Sequence, residues 1–286
     1  MSGVADLKAR LDRHGLYAKK VLGQNFLIDD EALAAIAQAA LRGQPPALIE
    51  IGPGPGTLTA HLAEAGLPLI AIEKDQGMLP LLRERFADAP HVELRYGDAL
   101  ETNFTTLHPM PRPAVVGNIP YNISSPILLT LLRQRHGLGR VTLMVQKEVA
   151  DRLLAEPSTK AYGSLSVLFQ AVAELSRVRQ VPAGAFLPAP KVDSTVIQLR
   201  WRPDPLVADD QLPHFERTVR AAFSLRRKML RNALRTVFSQ EAIEAAAANT
   251  GLAMTRRAET LTGSELALLA GALPAVGPDP SPSDPL

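Results

Sequence analysis

Ala47-Leu48-Ile49-Glu50-Ile51-Gly52-Pro53-Gly54-Pro55-Gly56-Thr57 is an apolar run interrupted by one carboxylate, followed by three glycines at alternate positions. A short apolar run bounded by glycine reads as a strand buried on both faces. The glycines allow a sharp turn into the following helix and a close approach of backbone to a ligand. Outward from this unit the same alternation repeats. Strands are predicted at Ala47–Ile51, Pro68–Ile72, Val92–Tyr96, Ala114–Val116 and Val141–Val145. Helical stretches follow them at Thr57–Ala65, Met78–Phe86, Pro126–Arg135 and Lys147–Ala155, with Ser125-Pro126 reading as a cap and first helical position. Such alternation implies βαβ units and a parallel sheet covered by helices on both faces.

Beyond this core, a helix at Leu165–Ala173 precedes two further strands, Leu175–Val181 and Ser194–Trp201. The fold class is therefore α/β: a Rossmann-like sheet of seven mostly parallel strands with a small all-α C-terminal domain. The predicted division is 1–205 for the sheet domain, 209–275 for the helical domain and 276–286 for a tail. Pro203 and Pro205 mark the first boundary, and four prolines within Gly277–Leu286 suggest disorder. Before the sheet, Asp6–Arg13 has helical spacing and breaks at Gly15. A second helix capped by Asp29 or Asp30 runs through Leu33, Ile36 and Ala40.

Composition narrows the class. Of 286 residues 46% are hydrophobic and 21% charged, as in ordinary soluble domains. No apolar run approaches the roughly 18 residues of a membrane span, and the N-terminus lacks the apolar core of a signal peptide. The absence of cysteine excludes disulfides and thiolate metal sites. A cytoplasmic, membrane-free location is the simplest expectation. The 24 prolines fit either a GC-rich genome or a thermophile.

The glycine turn could be structural or could bind a dinucleotide, but two details favour S-adenosylmethionine. Its spacing is GxGxG instead of the GxGxxG that seats a pyrophosphate, and a carboxylate stands just before the first glycine. A sulfonium cation bearing an amino group favours that charge; a pyrophosphate does not. The second strand ends in Ile72-Glu73-Lys74-Asp75, where a carboxylate can accept both ribose hydroxyls. The third ends in Gly97-Asp98-Ala99, where Asp98 could accept from the adenine amine of the cofactor. Each could instead be a solvated charge, yet three acidic positions converge on the sheet edge where such folds bind ligands.

Asn118-Ile119-Pro120-Tyr121 follows the fourth strand. An exocyclic adenine amine is a poor nucleophile because its lone pair is delocalised into the ring. An amide oxygen and a main-chain carbonyl accepting from it favour a pyramidal nitrogen, proline fixes the turn, and tyrosine stacks the extruded base. The plainer alternative is a tight turn with a half-buried tyrosine.

Taken with Gly23-Gln24-Asn25-Phe26-Leu27, Gly97-Asp98-Ala99-Leu100, Val145-Gln146-Lys147-Glu148-Val149-Ala150, Phe186–Ser194 and Arg226–Asn232, these motifs resemble the ribosomal RNA adenine dimethyltransferase family. They lean toward its small-subunit branch, linked to kasugamycin sensitivity, and the likeness runs from Gly23 to about Leu234. The resemblance implies methylation of N6 on two adjacent adenosines near the 3′ end of small-subunit rRNA, with S-adenosylmethionine as donor and no metal. The implied partner is that rRNA or a 30S assembly intermediate, met by a monomer. It implies cofactor contacts from Gln24, Asn25, Leu27, Gly52, Gly54, Glu73, Asp98 and Asn118. Target contacts would come from Asn118, Tyr121 and a second stacking aromatic, Phe186. Ser164 stands where the family often has arginine, so one RNA contact is missing. Asn-Ile-Pro-Tyr also occurs in large-subunit macrolide-resistance methyltransferases, which remain an alternative alongside a non-enzymatic ribosome assembly factor. An NAD-dependent oxidoreductase is disfavoured by the glycine spacing, and a DNA adenine or protein glutamine methyltransferase has no evident need of a basic helical domain.

That domain carries the charge signal. Net charge is only +2, but Arg217–Arg235 holds seven basic residues and no acidic one. Read as one helix, six of them share an arc of roughly 100° opposite Phe223, Leu225, Met229, Leu230 and Leu234; Arg226 is the exception, which implies either that it is buried and paired or that the helix breaks near Ser224. Simple solvation is the bland explanation; sign purity points to a phosphate-tracking face with Arg220, Arg227, Lys228 and Arg231 as RNA contacts.

Overall fold

The structure, a computed structural model, describes residues 3–275, so the tail expected to be disordered lies outside the described residues. In chain order the elements are α1 (Gly3–Arg13), β1 (Phe26–Leu27), α2 (Asp30–Ala40), β2 (Leu48–Ile51), α3 (Thr57–Ala63), β3 (Leu69–Glu73), α4 (Met78–Arg85) and β4 (Val92–Tyr96). Then follow α5 (Phe104–Leu107), β5 (Ala114–Asn118), α6 (Ser124–Arg133), β6 (Val141–Gln146), α7 (Lys147–Leu153), α8 (Ser164–Val172), β7 (Ala173–Val181), β8 (Phe186–Leu187) and β9 (Ser194–Trp201). The last four are α9 (Leu212–Ser224), α10 (Leu230–Leu234), α11 (Gln240–Thr250) and α12 (Gly263–Ala272).

Seven strands form one sheet in the order β4-β3-β2-β5-β6-β9-β7, parallel from β4 through β6, with β9 antiparallel to β6. The chain moves outward from β2 through β3 to β4, then returns to add β5 on the other side of β2. A ligand crevice opens at such a reversal, beyond the carboxyl ends of β2 and β5. Every residue of β2 and β3 is buried, as continuous apolar strands covered on both faces require. One cluster packs Ile36 of α2 and Leu58 and Leu62 of α3 with Leu48, Leu69 and Val116. A second joins Leu7 and Leu11 of α1 to Met78 and Leu82 of α4, with Phe26 among them. Burying each such side chain contributes about 1.5–3 kcal/mol. Asp29 caps α2 by accepting from Ala32 N–H, as its sequence suggests.

Two differences from the sequence reading concern elements near the crevice. α6 begins at Ser124, so Ser125 and Pro126 lie within its first turn and the cap position falls to Ile123. β1 and β8 form a small antiparallel pair, Phe26 opposite Leu187 and Leu27 opposite Phe186, that no local pattern announces.

The chain divides into two compact units. The first holds the described residues to Ala150 together with Ser176–Arg200; the second holds Asp151–Leu175 and the chain from Trp201 onward. A single cut near residue 205 therefore misplaces 151–175. The physical reason lies in α8, a largely buried helix that lies against α9 and α12. The neighbouring Tyr162 is buried, donates to Leu261 O at 2.9 Å and meets Phe223 edge-on. Among the described residues no helix is long and apolar enough to cross a membrane.

The basic run is not one helix. Ser224 ends α9 and donates its hydroxyl to Ala221 O at 2.7 Å, competing with the helical ladder. Leu225 to Met229 form a turn before α10, so the single-helix phasing fails there. Leu225 and Met229, expected on an apolar face, are exposed. Arg226 is paired but not buried: it is exposed, with Nε donating to Glu259 at 3.2 Å and Nη2 donating to Lys160 O.

Candidate active site

Gln24, Asn25, Leu27, Gly52, Gly54, Glu73, Asp98, Asn118 and Tyr121 all line one cleft of the first unit. The glycines, Glu73, Asp98 and Asn118 arrive there because β2, β3, β4 and β5 run parallel in one sheet with their carboxyl ends on one side, whereas Gln24, Asn25 and Leu27 come from the segment before it. Gly52, Gly54 and Gly56 all have positive φ. At Gly54 a Cβ would also stand 3.2 Å from the Phe26 ring, and at Gly56 2.8 Å from that of Phe86. Glycine is required there by conformation and by space alike.

Glu73 is buried and stitches this loop: its Oε2 accepts from Gly54 N–H at 2.9 Å and its Oε1 from Asp75 N–H at 2.7 Å. Burial raises its pKa against these stabilising bonds. Asp98 accepts from Leu100 N–H at 3.0 Å and pairs with Lys74, whose position at the strand end was not read as functional. Burial works against the charge of Asp98, but Lys74 and Leu100 outweigh it and hold the carboxyl below its ordinary range.

A segment from Lys19 to Leu27 borders the cleft. Gln24 is engaged within it: its Oε1 accepts from Lys19 N–H at 2.8 Å and its Nε2 donates to Asp75 at 3.1 Å. Lys19 Nζ donates to the same buried Asp75 at 2.7 Å, so Gln24 serves first to clamp this segment to the sheet. Gly23 lies so close to Asn122 that a Cβ would come within 2.8 Å of its side-chain oxygen.

Asn118 closes β5. Behind it a Cβ on Gly117 would stand 2.7 Å from Ile51 O, so the two strands approach as only glycine allows. Asn118 Nδ2 donates to Asn25 O at 3.0 Å, which leaves the amide oxygen as an acceptor beside the cleft. Tyr121 follows in a single 3-10 turn, half-buried, its hydroxyl 2.8 Å from Ser194 Oγ. Burial raises the Tyr121 pKa, so the phenol stays protonated at neutral pH.

Phe186 is not brought to this cleft. It is 3% exposed and packs in the core with Leu27, Val181 and Val196, because its strand pairing turns it inward. Of the two aromatics expected at the target, the structure places Tyr121 in the cleft and Phe186 in the core. Of the expected RNA contacts in the second unit, Arg220 bonds Glu216 at 2.9 Å, whereas Arg227, Lys228 and Arg231 are exposed.

Glu50 lines the cleft wall with 1% exposure, and its Oε2 is buried with no hydrogen-bond partner. Burial, with the charge of Glu73 adding, pushes its pKa up to about 8; Thr59 and Arg85 act the other way. The sequence shows a carboxylate before the glycines, but not that it is orphaned. Its titration gives a prediction for the free protein. The unfolded carboxyl ionises near its ordinary pKa of 4.5 while the folded one holds its proton to about 8. Folded protein thus binds more protons between those values, and stability falls as pH rises through them, by at most about 1.4 kcal/mol per pH unit for one group. Urea unfolding from pH 5 to 8.5 should show this decline in wild type and a shallower one in Glu50→Gln. Parallel profiles would remove Glu50 as the source.

Residues 15–271 match the family described as ribosomal RNA adenine dimethylase. The ribosomal RNA small subunit methyltransferase A of Geobacter metallireducens is 43% identical over 269 residues, covering 92% of this chain and 98% of the relative. The crystal structure of the 23S rRNA methyltransferase ErmE is similar at TM-score 0.65 and 29% identity, over 87% of this chain and 99% of that one. A dimethyladenosine transferase from Plasmodium falciparum shares the fold at TM-score 0.70 and 24% identity, over 85% of this chain and 95% of that one. With the glycine loop, the strand-end carboxylates and Asn-Ile-Pro-Tyr gathered in one cleft, this chain belongs to the ribosomal RNA adenine dimethylase family.

Proposed function

We propose that the protein transfers methyl groups to N6 of two adjacent adenosines near the 3′ end of small-subunit rRNA. The observation that carries this reading is the Asn118 amide, whose nitrogen is committed to Asn25 O and whose oxygen is left to accept from an amine in the cleft. The methyl donor is S-adenosylmethionine, which supplies a methyl already activated on a sulfonium. The cleft suits it: a cationic ligand beside Glu50 favours loss of the proton that burial keeps on its carboxyl, and the glycine loop permits close approach. Gly52, Gly54, Asn25 and Leu27 would hold the amino-acid portion, Glu73 the ribose and Asp98 the adenine. Each Glu73 oxygen accepts one backbone N–H and keeps a second lone pair, so the carboxylate can accept ribose hydroxyls without releasing the loop.

At the target, the Asn118 oxygen accepts from N6 and turns its lone pair out of the ring plane. Tyr121 stacks the base and Pro120 holds the turn between them. The proton lost from N6 passes toward water at the cleft mouth. Exposed Arg227, Lys228 and Arg231 would meet rRNA phosphates. A monomer acting in the cytoplasm on a 30S assembly intermediate completes the reading. The small-subunit assignment rests on relatives of that name at 38–43% identity, against 29% for the 23S enzyme.

The test is incubation of purified protein with isotopically labelled S-adenosylmethionine and unmethylated small- or large-subunit particles, followed by nucleoside analysis. N6,N6-dimethyladenosine confined to small-subunit rRNA is the expected result. Label only in large-subunit rRNA would favour the macrolide-resistance type, and no label in either would sink both.

A further inference from the structure

Ser194 opens β9 opposite Gln146 of β6, and it is fully buried. A hydroxyl at that depth needs a partner. Its partner is the Tyr121 hydroxyl, 2.8 Å away and 73 residues earlier in sequence. Its surroundings are rigid: Asp193 O accepts from Lys147 N–H at 3.0 Å, and Asp193 Oδ1 accepts from Ala183 N–H at 3.0 Å. Tyr121 itself sits in a turn of three residues, a weak frame for a ring whose terminal torsion has a broad two-fold profile.

We propose that Ser194 is a positioning residue for methyl transfer: its hydroxyl holds the far end of Tyr121 and so fixes the plane on which the target adenine stacks. The proposal rests on the reading of Tyr121 as the stacking residue. It gives the ring two fixed points, Cα on the Pro120 turn and the phenol oxygen at the start of β9. Remove either hydroxyl and the ring keeps its face but loses its tilt. Bases then still enter, with N6 presented over a wider range of angles to Asn118 and the methyl donor, and rate depends steeply on such alignment. The hydroxyls satisfy one another, so cofactor contacts are untouched.

The experiment is a double-mutant cycle on single-turnover methylation of small-subunit particles, with Ser194→Ala, Tyr121→Phe, both together, and Tyr121→Ala as reference. Cofactor affinity and melting temperature are measured on each. Each single hydroxyl removal is expected to slow the step about tenfold, the scale of one hydrogen bond realised at the reacting geometry. The double variant should be no slower than either single, and cofactor affinity should hold within about twofold. A structural role alone would lower the melting temperature without coupling the two residues in rate. Multiplying effects in the double variant, or a Tyr121→Phe variant as fast as wild type beside a slow Tyr121→Ala, would overturn the positioning role while leaving stacking intact. A Tyr121→Ala variant at wild-type rate would instead overturn the stacking reading, and the proposal with it. If Ser194→Ala does not fold, Tyr121→Phe tests the same bond from its other end.

Discussion

Asn118→Ala is expected to lower the single-turnover methylation rate by about 10²–10³-fold, the range for removing one preorganised hydrogen-bonding group at a reacting centre. The side chain has two jobs of different size. Its oxygen is the acceptor that the amine requires in order to become nucleophilic, an interaction strongest when the new N–C bond is forming. Its nitrogen ties down Asn25 O at 3.0 Å and so steadies the segment bordering the cleft. Losing that neutral bond should weaken cofactor binding by only about 0.5–1.5 kcal/mol, tenfold or so at most. Rate and affinity therefore separate: calorimetry should show a modest loss of S-adenosylmethionine affinity, and rapid-quench assays at saturating cofactor a much larger loss of turnover. A rate within a few-fold of wild type would reduce Asn118 to a turn residue.

Much of this site could be read from sequence because a parallel sheet makes distant residues predictable neighbours. Glu73, Asp98 and Asn118 end or follow successive strands, and the rule that such ends face one crevice brought them together without knowledge of any contact. Strand positions were legible for the same reason, since apolar runs buried on both faces leave a local signature. What escaped depends on non-local geometry. The two-residue pairing of Phe26-Leu27 with Phe186-Leu187 has no period of its own, yet it turns Phe186 into the core and away from the cleft. Nor could spacing show that Lys74 pairs with Asp98, that Gln24 is clamped to Asp75, or that Ser194 meets Tyr121. The C-terminal basic run left two readings open for a different reason. Charge purity persists through Leu225–Met229 while the backbone leaves the helix, and the misplacement of Arg226 on the wheel is the one local sign of the break near Ser224.

That break changes what the basic residues are expected to do. Arg220 lies on α9 and is held by Glu216, and Arg226 is held by Glu259, so both already have a carboxylate partner. Arg227 and Lys228 stand exposed in the turn and Arg231 on the first turn of α10, with exposed Leu225 and Met229 beside them. If these three track rRNA phosphates, each contact removed reduces the slope of log affinity against log salt by roughly 0.7–0.9. Converting Arg227, Lys228 and Arg231 together to glutamine should lower that slope by roughly 2–3 and weaken binding most at low salt. Adding Arg220→Gln should change it little further, because Glu216 already offsets that charge. S-adenosylmethionine affinity should stay at the wild-type value, since the cleft is lined entirely by residues between Val21 and Ile123. Filter binding of small-subunit rRNA across a salt series measures the slope directly. An unchanged slope and affinity in the folded triple variant would mean that this turn is merely solvated, with RNA docking carried elsewhere on the chain.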